Sequence, residues 1–531
     1  MNLASLVDGH DAAARALYER GTWHTWGQVR ARAASAAAGL VQLGVRPGDR
    51  VAIVWPTSVE FVVAYLGVLA AGAVAVPLNP HSPSNELARE LAAIEPAAVL
   101  AGEMPGLDGS GPSGPSVVSA VLDAVASRAV ECRVVVPSAA ASGTDPSGPS
   151  VVAWEEVAPL EPGADTGSSD GLLRAMDRSD DDLAVLVFTS GTAGQPRAAM
   201  LTHGNLTANL RQMLGVPDIV RTDDVALVAL PLFHIFGLNV ALGLALATGA
   251  ALVLDERFDP VRTIEQVHEL GVTTLLGVPA MYSAWADASS TAGGDASAMS
   301  SVRRAISGAA ALDPAVADRF EHRYGVAVWQ GYGLTEASPG VSTSLGTGRN
   351  RAGSVGQPLP GVEVAVVDDA GSPVLEGDPG EIWVRGPNVF AGYWRDSDAS
   401  RSVLGPGGWL HTGDVGVIGD DGDLFVVDRS KDLIIVSGFN VFPAEVERVV
   451  AEVPGVAEAV AVGRPDTVTG EAVEVVIVPS PGVTVTEDQV RAHCLANLAR
   501  YKCPTTVRFV SALPYGLVGK ALRRELRQRL A

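Results

Sequence analysis

The sequence predicts an α/β protein: a large N-terminal domain of stacked, helix-flanked sheets with a strand-rich, β-barrel-like part, then a small mobile α+β domain at the C-terminal end. Three observations carry this. Between residues 40 and 100, apolar helical stretches alternate with short Val-rich runs such as "RVAIVW" and "AVAVPLN". After residue 350, Val/Ile runs such as "VEVAVVDDAG", "GEIWVRG" and "GDLFVVDRS" are closed by Asp-Gly or Gly turns. Beyond residue 431 a separate alternation begins. With 531 residues, 47% of them hydrophobic and 18% charged, the chain is too long for one ordinary domain and too apolar to be disordered.

Taken in order, the first elements to justify are two apolar runs, "FVVAYLGVLAAGAVAVPL" at 61–78 and "IFGLNVALGLALATGAALVL" at 235–254. Both approach the ~20 residues a membrane span needs. They are rich in Ala, Gly and Val and are interrupted by Pro77 and Asn239, so each is expected to be a helix followed by a buried strand. From 103 to 170 the Gly/Ser/Pro-rich stretches "EMPGLDGSGPSGPS", "PSAAASGTDPSGPS" and "EPGADTGSSDG" read as surface loops. They flank apolar segments, "VVSAVLDAVA" and "CRVVVPS", which places them inside one large domain. In the closing stretch "LIIVS" is a strand, "PAEVERVVAEV" a helix opened by Pro443, "VAEAVAVG" and "AVEVVIV" strands, and "TEDQVRAHCLANLA" a helix behind a Thr cap. The expected division is residues 1–428, a connector at 429–431, and 432–531.

The formal charge of −22 makes the surface repellent to nucleic acid and anionic lipid. Any anionic ligand must be met locally. Cys132, Cys494 and Cys503 show no paired or metal-type spacing, and the opening residues lack a signal-peptide pattern, so a reduced cytoplasmic setting is expected. No repeat of 20–50 residues is evident.

One stretch concentrates polar chemistry. In "VFTSGTAGQPRAAM" at 187–200 an apolar strand runs into Thr189, Ser190, Gly191, Thr192, Ala193, Gly194 and Arg197. Two glycines let backbone N–H groups approach a ligand, and the hydroxyls suit phosphate oxygens. It is not a Walker A loop, whose glycines stand further apart and are followed directly by Lys-Ser or Lys-Thr.

With this loop come "GYGLTEAS" at 331–338, "HTGDVG" at 411–416, "DRSKDLIIVSGFNVFPAEVE" at 428–447 and "GK" at 519–520. In that order and spacing the set resembles the adenylate-forming superfamily of acyl-CoA synthetases, peptide-synthetase adenylation domains and luciferases. The resemblance spans nearly the whole chain. It implies a carboxylate attacking ATP to give acyl-AMP and pyrophosphate, then a thiol displacing AMP. It further implies that Thr189, Ser190, Gly191, Thr192, Gly194 and Arg197 embrace the β- and γ-phosphates, that Thr335 meets the α-phosphate, and that Glu336 helps hold Mg²⁺. Tyr332, with Gly308, Ala309 and Ala310 of "SGAAAL", is placed around adenine, and Asp414 and Arg429 at the ribose. Lys520 becomes the cationic catalyst of adenylation, Lys431 the hinge on which the small domain rotates, and Gly438 part of the pantetheine channel. The loop departs from the family pattern at Ala193, Arg197 and Ala198, where a threonine, a lysine and a glycine are usual. Arg197 keeps the charge and adds bidentate geometry.

The stretches at 230–254 and 275–285 hold no Lys or Arg, and no acidic residue. If they line the acyl pocket, as the family positions imply, a second carboxylate or an ammonium group would lack a partner. His234 matches a gating position of fatty acyl-CoA synthetases. The implied substrate is a medium- to long-chain fatty acid, with an aromatic acid next, and the implied cosubstrates are ATP, Mg²⁺ and CoA. An acyl carrier protein as acceptor, or a degenerate binding homologue, are the alternatives.

Overall fold

The computed structural model describes residues 1–531 except 104–115, 129, 142–149, 160–171, 190–196, 289–295, 349, 369, 430–433, 437–438, 467–468, 499, 515–522 and 531. Seven strands make the first sheet, in the order Val151–Ala153, Arg133–Val136, Ala98–Ala101, Arg50–Val54, Val74–Pro77, Leu183–Thr189 and Arg197–Thr202. All neighbours are parallel except the last pair, an antiparallel hairpin. The Val-rich runs are explained by this topology: parallel strands are covered on both faces, and Val51 through Val54 are all buried.

A second sheet of nine strands has a parallel centre formed by Val225–Val228, Ala251–Leu254, Thr274–Gly277, Arg304–Ser307 and Val328–Gly333. The apolar run at 61–78 becomes the helix Val59–Ala70 followed by the strand Val74–Pro77, as expected. Ser58 caps the helix by accepting from the Phe61 N–H, and the helix is buried all round because it lies in the core. The run at 235–254 becomes a π-type helix Phe236–Gly243, one turn of α-helix Leu244–Thr248 and the strand Ala251–Leu254. Among the described residues no helix is long and apolar enough to cross a membrane.

The segments between the Gly/Ser/Pro-rich stretches fold as the helix Val117–Arg128 and the strand Arg133–Val136, and both serve the first sheet's core. The stretches themselves lie largely outside the described residues. The strand-rich part is a four-stranded antiparallel sheet of Glu363–Val367, Gly380–Arg385, Leu410–Ile418 and Leu424–Arg429. The closing residues form a five-stranded sheet from Ile434 to Phe509, backed by the helices Pro443–Ala451 and Glu487–Asn497. It has a core of its own around Ile434, Val446, Val450, Val475, Ile477 and Val490. Thr486 caps its second helix in a reciprocal pair with Gln489, the cap expected from the sequence.

Candidate active site

A cavity of about 1130 Å³ opens where the strands Thr274–Gly277, Arg304–Ser307 and Val328–Gly333 end. Carboxyl ends of parallel strands are where backbone groups and loops converge on a ligand. One end is apolar, walled by Phe236 and Val240 from the π-type segment, by Leu244 from the α-turn after it, and by Leu276 and Ile306 from the sheet. The other is polar, with Thr189, Arg197, Thr335, Glu336 and Tyr393.

Of the residues singled out from the sequence, Thr189, Arg197, His234, Gly308, Ala309, Tyr332, Thr335, Glu336 and Asp414 all line this one cavity. Ala310 follows them in the chain but is not part of the lining. Arg429 closes its strand directly opposite Asp414 in the antiparallel register. Ser190, Gly191, Thr192, Ala193, Gly194, Lys431, Gly438 and Lys520 lie outside the described residues. The segment at 275–285 contributes Leu276 to the cavity, whereas Tyr282 and Trp285 face away. A Cβ on Gly277 would meet both rings, and the Tyr282 hydroxyl donates to the Ile306 carbonyl at 2.9 Å, so they pack behind the sheet.

The polar end is built from hydrogen bonds across distant chain segments. The Tyr332 hydroxyl donates to Asp414 Oδ2 at 2.7 Å and fixes a buried carboxylate beside an aromatic face. Glu381 accepts from the Gly413 N–H at 2.9 Å and from Trp383 Nε1 at 3.0 Å, holding the turn that presents Asp414. The Tyr393 hydroxyl donates to Glu336 Oε1 at 2.7 Å. Burial, together with the Glu336 charge, pushes the Tyr393 phenol well above its ordinary pKa, so it remains a donor. Arg197 lies 5.7 Å from the Tyr393 ring centroid, and its Nε donates to Asp396 Oδ2 at 3.1 Å. Asp396 in turn caps the helix Ser397–Val403. Tyr393, Asp396 and Glu381 carry no local motif that singles them out; only the fold brings them to Glu336, Arg197 and Asp414.

The charges are unbalanced. Among the described lining residues the permanent cations are Arg89 and Arg197, against the carboxyls of Glu86, Glu90, Glu336, Glu381 and Asp414. Glu90 is 7% exposed, and burial with Glu86 nearby pushes its pKa up to about 8, which leaves it neutral at pH 7. A polyphosphate therefore meets a surplus of negative charge and requires a counter-cation. No group of three or more His, Cys, Asp or Glu side chains able to hold a metal ion exists among the described residues. Glu336, with one oxygen engaged by Tyr393, fits Mg²⁺, which keeps most of its waters and takes one or two carboxylates plus phosphate oxygens.

This arrangement agrees with the comparisons to known proteins. Residues 7–394 match the model of the AMP-binding enzyme family, and residues 445–520 match that of the AMP-binding enzyme C-terminal domain. The chain is 36% identical to a feruloyl-CoA synthase from an Amycolatopsis species over 97% of this chain and 96% of that protein. It is 34% identical to a long-chain-fatty-acid–CoA ligase from Yersinia pestis over 95% and 89%. The crystal structure of ATP-bound MatB from Rhodopseudomonas palustris superposes with a TM-score of 0.86 at 31% identity, covering 99% of this chain and 98% of that one. With nucleotide-type residues gathered in one cavity and both family models matched, the chain belongs to the AMP-binding enzyme family, among its AMP-forming acyl- and aryl-CoA ligases.

Proposed function

We propose that this protein activates an apolar monocarboxylic acid, a medium- to long-chain fatty acid first of all, through acyl-AMP to its CoA thioester. The observation that carries the proposal is the continuity of one cavity from an uncharged apolar end to the Thr335–Glu336–Asp414 end. An acid lying along it would put its alkyl part against Phe236, Val240 and Leu244 and its carboxylate toward Thr335. An aromatic acid is the second reading: the Phe236 ring lies against the Gly308 backbone, where a Cβ would stand 3.2 Å from two ring atoms, and this narrow, flat wall would also suit an aryl group.

In the first half-reaction a carboxylate oxygen forms a bond to the α-phosphorus of ATP as the bond to the bridging oxygen breaks and pyrophosphate departs. Two anions must approach, so oriented donors and positive charge dominate the barrier. Thr189, Arg197 and the loop between them would hold the β- and γ-phosphates, and Thr335 the α-phosphate. Mg²⁺, when bound, neutralises phosphate charge. Glu336 would orient it, with Tyr393 fixing the carboxylate. Tyr332 would offer adenine a face, and Asp414 and Arg429 would take the ribose hydroxyls. Lys520 would bridge carboxylate and α-phosphate.

In the second half-reaction a thiol forms the thioester bond at the acyl carbon and AMP leaves. We assign residues 1–428 to the nucleotide and acid, 429–431 to a hinge centred on Lys431, and 432–531 to a domain that rotates. Lys520 would then withdraw, Gly438 would line the pantetheine channel, and His234 would act as a gate. The separate core of the closing residues supports such independence. Cys132, Cys494 and Cys503 stand outside any disulfide among the described residues, which suits a reduced cytoplasm.

The test is incubation with ATP, Mg²⁺, CoA and acids from butyrate to octadecanoate, with ferulate and 4-coumarate alongside, followed by mass spectrometry of AMP and thioester. A chain-length optimum supports the fatty acid. Preference for the phenolic acids replaces it with the aryl reading, and acyl-AMP without thioester points to a carrier protein as acceptor. No turnover of any acid refutes the ligase.

A further inference from the structure

Behind the apolar end of the cavity, one buried side chain joins the acyl wall to the segment that carries Thr335 and Glu336. Asn239 sits inside the π-type segment Phe236–Gly243, whose Phe236 and Val240 face the cavity. It is 2% exposed. Its Nδ2 donates to the Ser338 carbonyl at 2.7 Å, and more weakly to the Leu206 carbonyl at 3.4 Å. Gly243 makes room for this carboxamide: a Cβ there would stand 2.7 Å from Asn239 Oδ1.

The segment it reaches is gripped carbonyl by carbonyl. The Phe390 N–H donates to the Glu336 carbonyl, Asn388 Nδ2 to that of Ala337, and the Leu334 N–H to that of Pro339. The Gly340 carbonyl accepts from Asn209 Nδ2 at 2.8 Å and from Asn388 Nδ2 at 3.2 Å. Ser338 itself holds a left-handed conformation at φ 71°, which a residue other than glycine adopts only when its surroundings impose it. The other donors are Asn209 from the helix His203–Leu214, Asn388 and Phe390, and Leu334 of the segment itself. Among these donors Asn239 is the one carried by the π-type segment that presents Phe236 and Val240 to the cavity. π-type turns are rare, occur mostly as short bulges within helices, and are frequent at functional sites.

We propose that Asn239 is a positioning residue that couples occupancy of the acyl pocket to nucleotide binding, through its hydrogen bond to the Ser338 carbonyl. This rests on the ligase reading only in taking the apolar end as the place of the acid. An acid seated against Phe236 and Val240 sets the π-type segment, Asn239 carries that setting to Ser338, and Glu336, two residues earlier, takes the position that serves Mg²⁺ and phosphate. By linkage the effect is reciprocal, so each ligand tightens the other by the same factor.

The experiment measures binding of α,β-methylene-ATP with Mg²⁺ by calorimetry, without and with saturating dodecanoate, and again with ferulate. Wild type, Asn239→Asp and Gly243→Ala are compared. Asp keeps the size and removes the donor, whereas Gly243→Ala keeps Asn239 and displaces it. We expect the acid to tighten the analogue in wild type by up to roughly tenfold, the factor a single buried hydrogen bond carries. In both variants that factor falls towards one, while each ligand's separate affinity changes less than about threefold and the melting profile stays cooperative. In turnover, kcat falls and the KM for ATP measured at low acid is unchanged. An undiminished factor in both variants overturns the proposal, as does a wild type that binds both ligands without any coupling. Failure of both acids to bind counts against the ligase reading instead. A variant that does not fold leaves the other to decide.

Discussion

Replacing Tyr393 with phenylalanine removes one hydroxyl and nothing else from the polar end. That hydroxyl belongs to a buried residue, donates to Glu336 Oε1 at 2.7 Å, and sits on a ring beside the Arg197 guanidinium. A hydrogen bond to a charged acceptor contributes roughly 1.5–3 kcal/mol. At 1.4 kcal/mol per tenfold, losing it should slow adenylation by roughly 10- to 100-fold, with the ring's packing retained. Glu336 is assigned to the cation of the first half-reaction, so the loss should be confined to that step. Acid-dependent exchange of pyrophosphate into ATP reads it directly, and thioester formation from supplied acyl-AMP reads the second step. The Mg²⁺ concentration for half-maximal exchange should rise in parallel. Exchange within twofold of wild type, or equal losses in both half-reactions, would refute the assignment of Tyr393 and Glu336 to one functional unit.

Lys520→Ala should lower adenylation by roughly 10²–10³, as removal of one preorganised transition-state donor does, and spare thioester formation from acyl-AMP; equal losses in both steps would contradict its role. Glu90→Gln should stabilise the protein increasingly as pH rises from 4.5 to 8. Burial raises the Glu90 pKa to about 8, so wild type matches Gln in acid and loses a few kcal/mol between pH 4.5 and 8, where the unfolded chain gives up a proton that the native one keeps; melting temperatures across pH read this. His203 shows the opposite limb. Burial lowers its pKa to about 4, and its Nδ1 accepts from the Leu3 N–H. The unfolded chain therefore binds a proton that the native one refuses, and about 3 kcal/mol should be lost as pH falls from 6.5 to 4. A flatter acid limb in His203→Gln, measured by denaturant unfolding, checks this.

The sequence made the order of strands and helices legible because the patterns were local. Val-rich runs became parallel strands, and the two long apolar runs became buried helix and strand as their interrupting residues implied. The π-type winding of 236–243 was not legible, since an apolar run looks the same in any helix. The candidate site divides in the same way. Thr335, Glu336 and Asp414 stand in motifs and converge in the cavity. Tyr393 meets Glu336 from 57 positions away, and Arg197 meets Asp396 from 199, contacts that no spacing rule reaches. The turn of Tyr282 and Trp285 away from the cavity depended on which face of a strand was covered, and Gly277 decided that.

Arg197 links these threads. An arginine standing alone in a phosphate loop would be a long, mobile cation, and ordering it costs side-chain entropy. Here the guanidinium is already aimed, by Asp396 at one nitrogen and by the Tyr393 ring beside it. Only Nε is committed to Asp396 in that bond, which leaves the terminal nitrogens as donors suited to a phosphate's paired oxygens. Lysine offers a point charge without such a fork and would gain less from this frame. The same tyrosine that orders Arg197 also holds Glu336, so the residue proposed for phosphate and the residue proposed for its counter-cation share one support. In a cavity where carboxyls outnumber guanidinium groups, that shared support fixes the two charges at a set separation, and a polyphosphate bound together with Mg²⁺ would satisfy both at once.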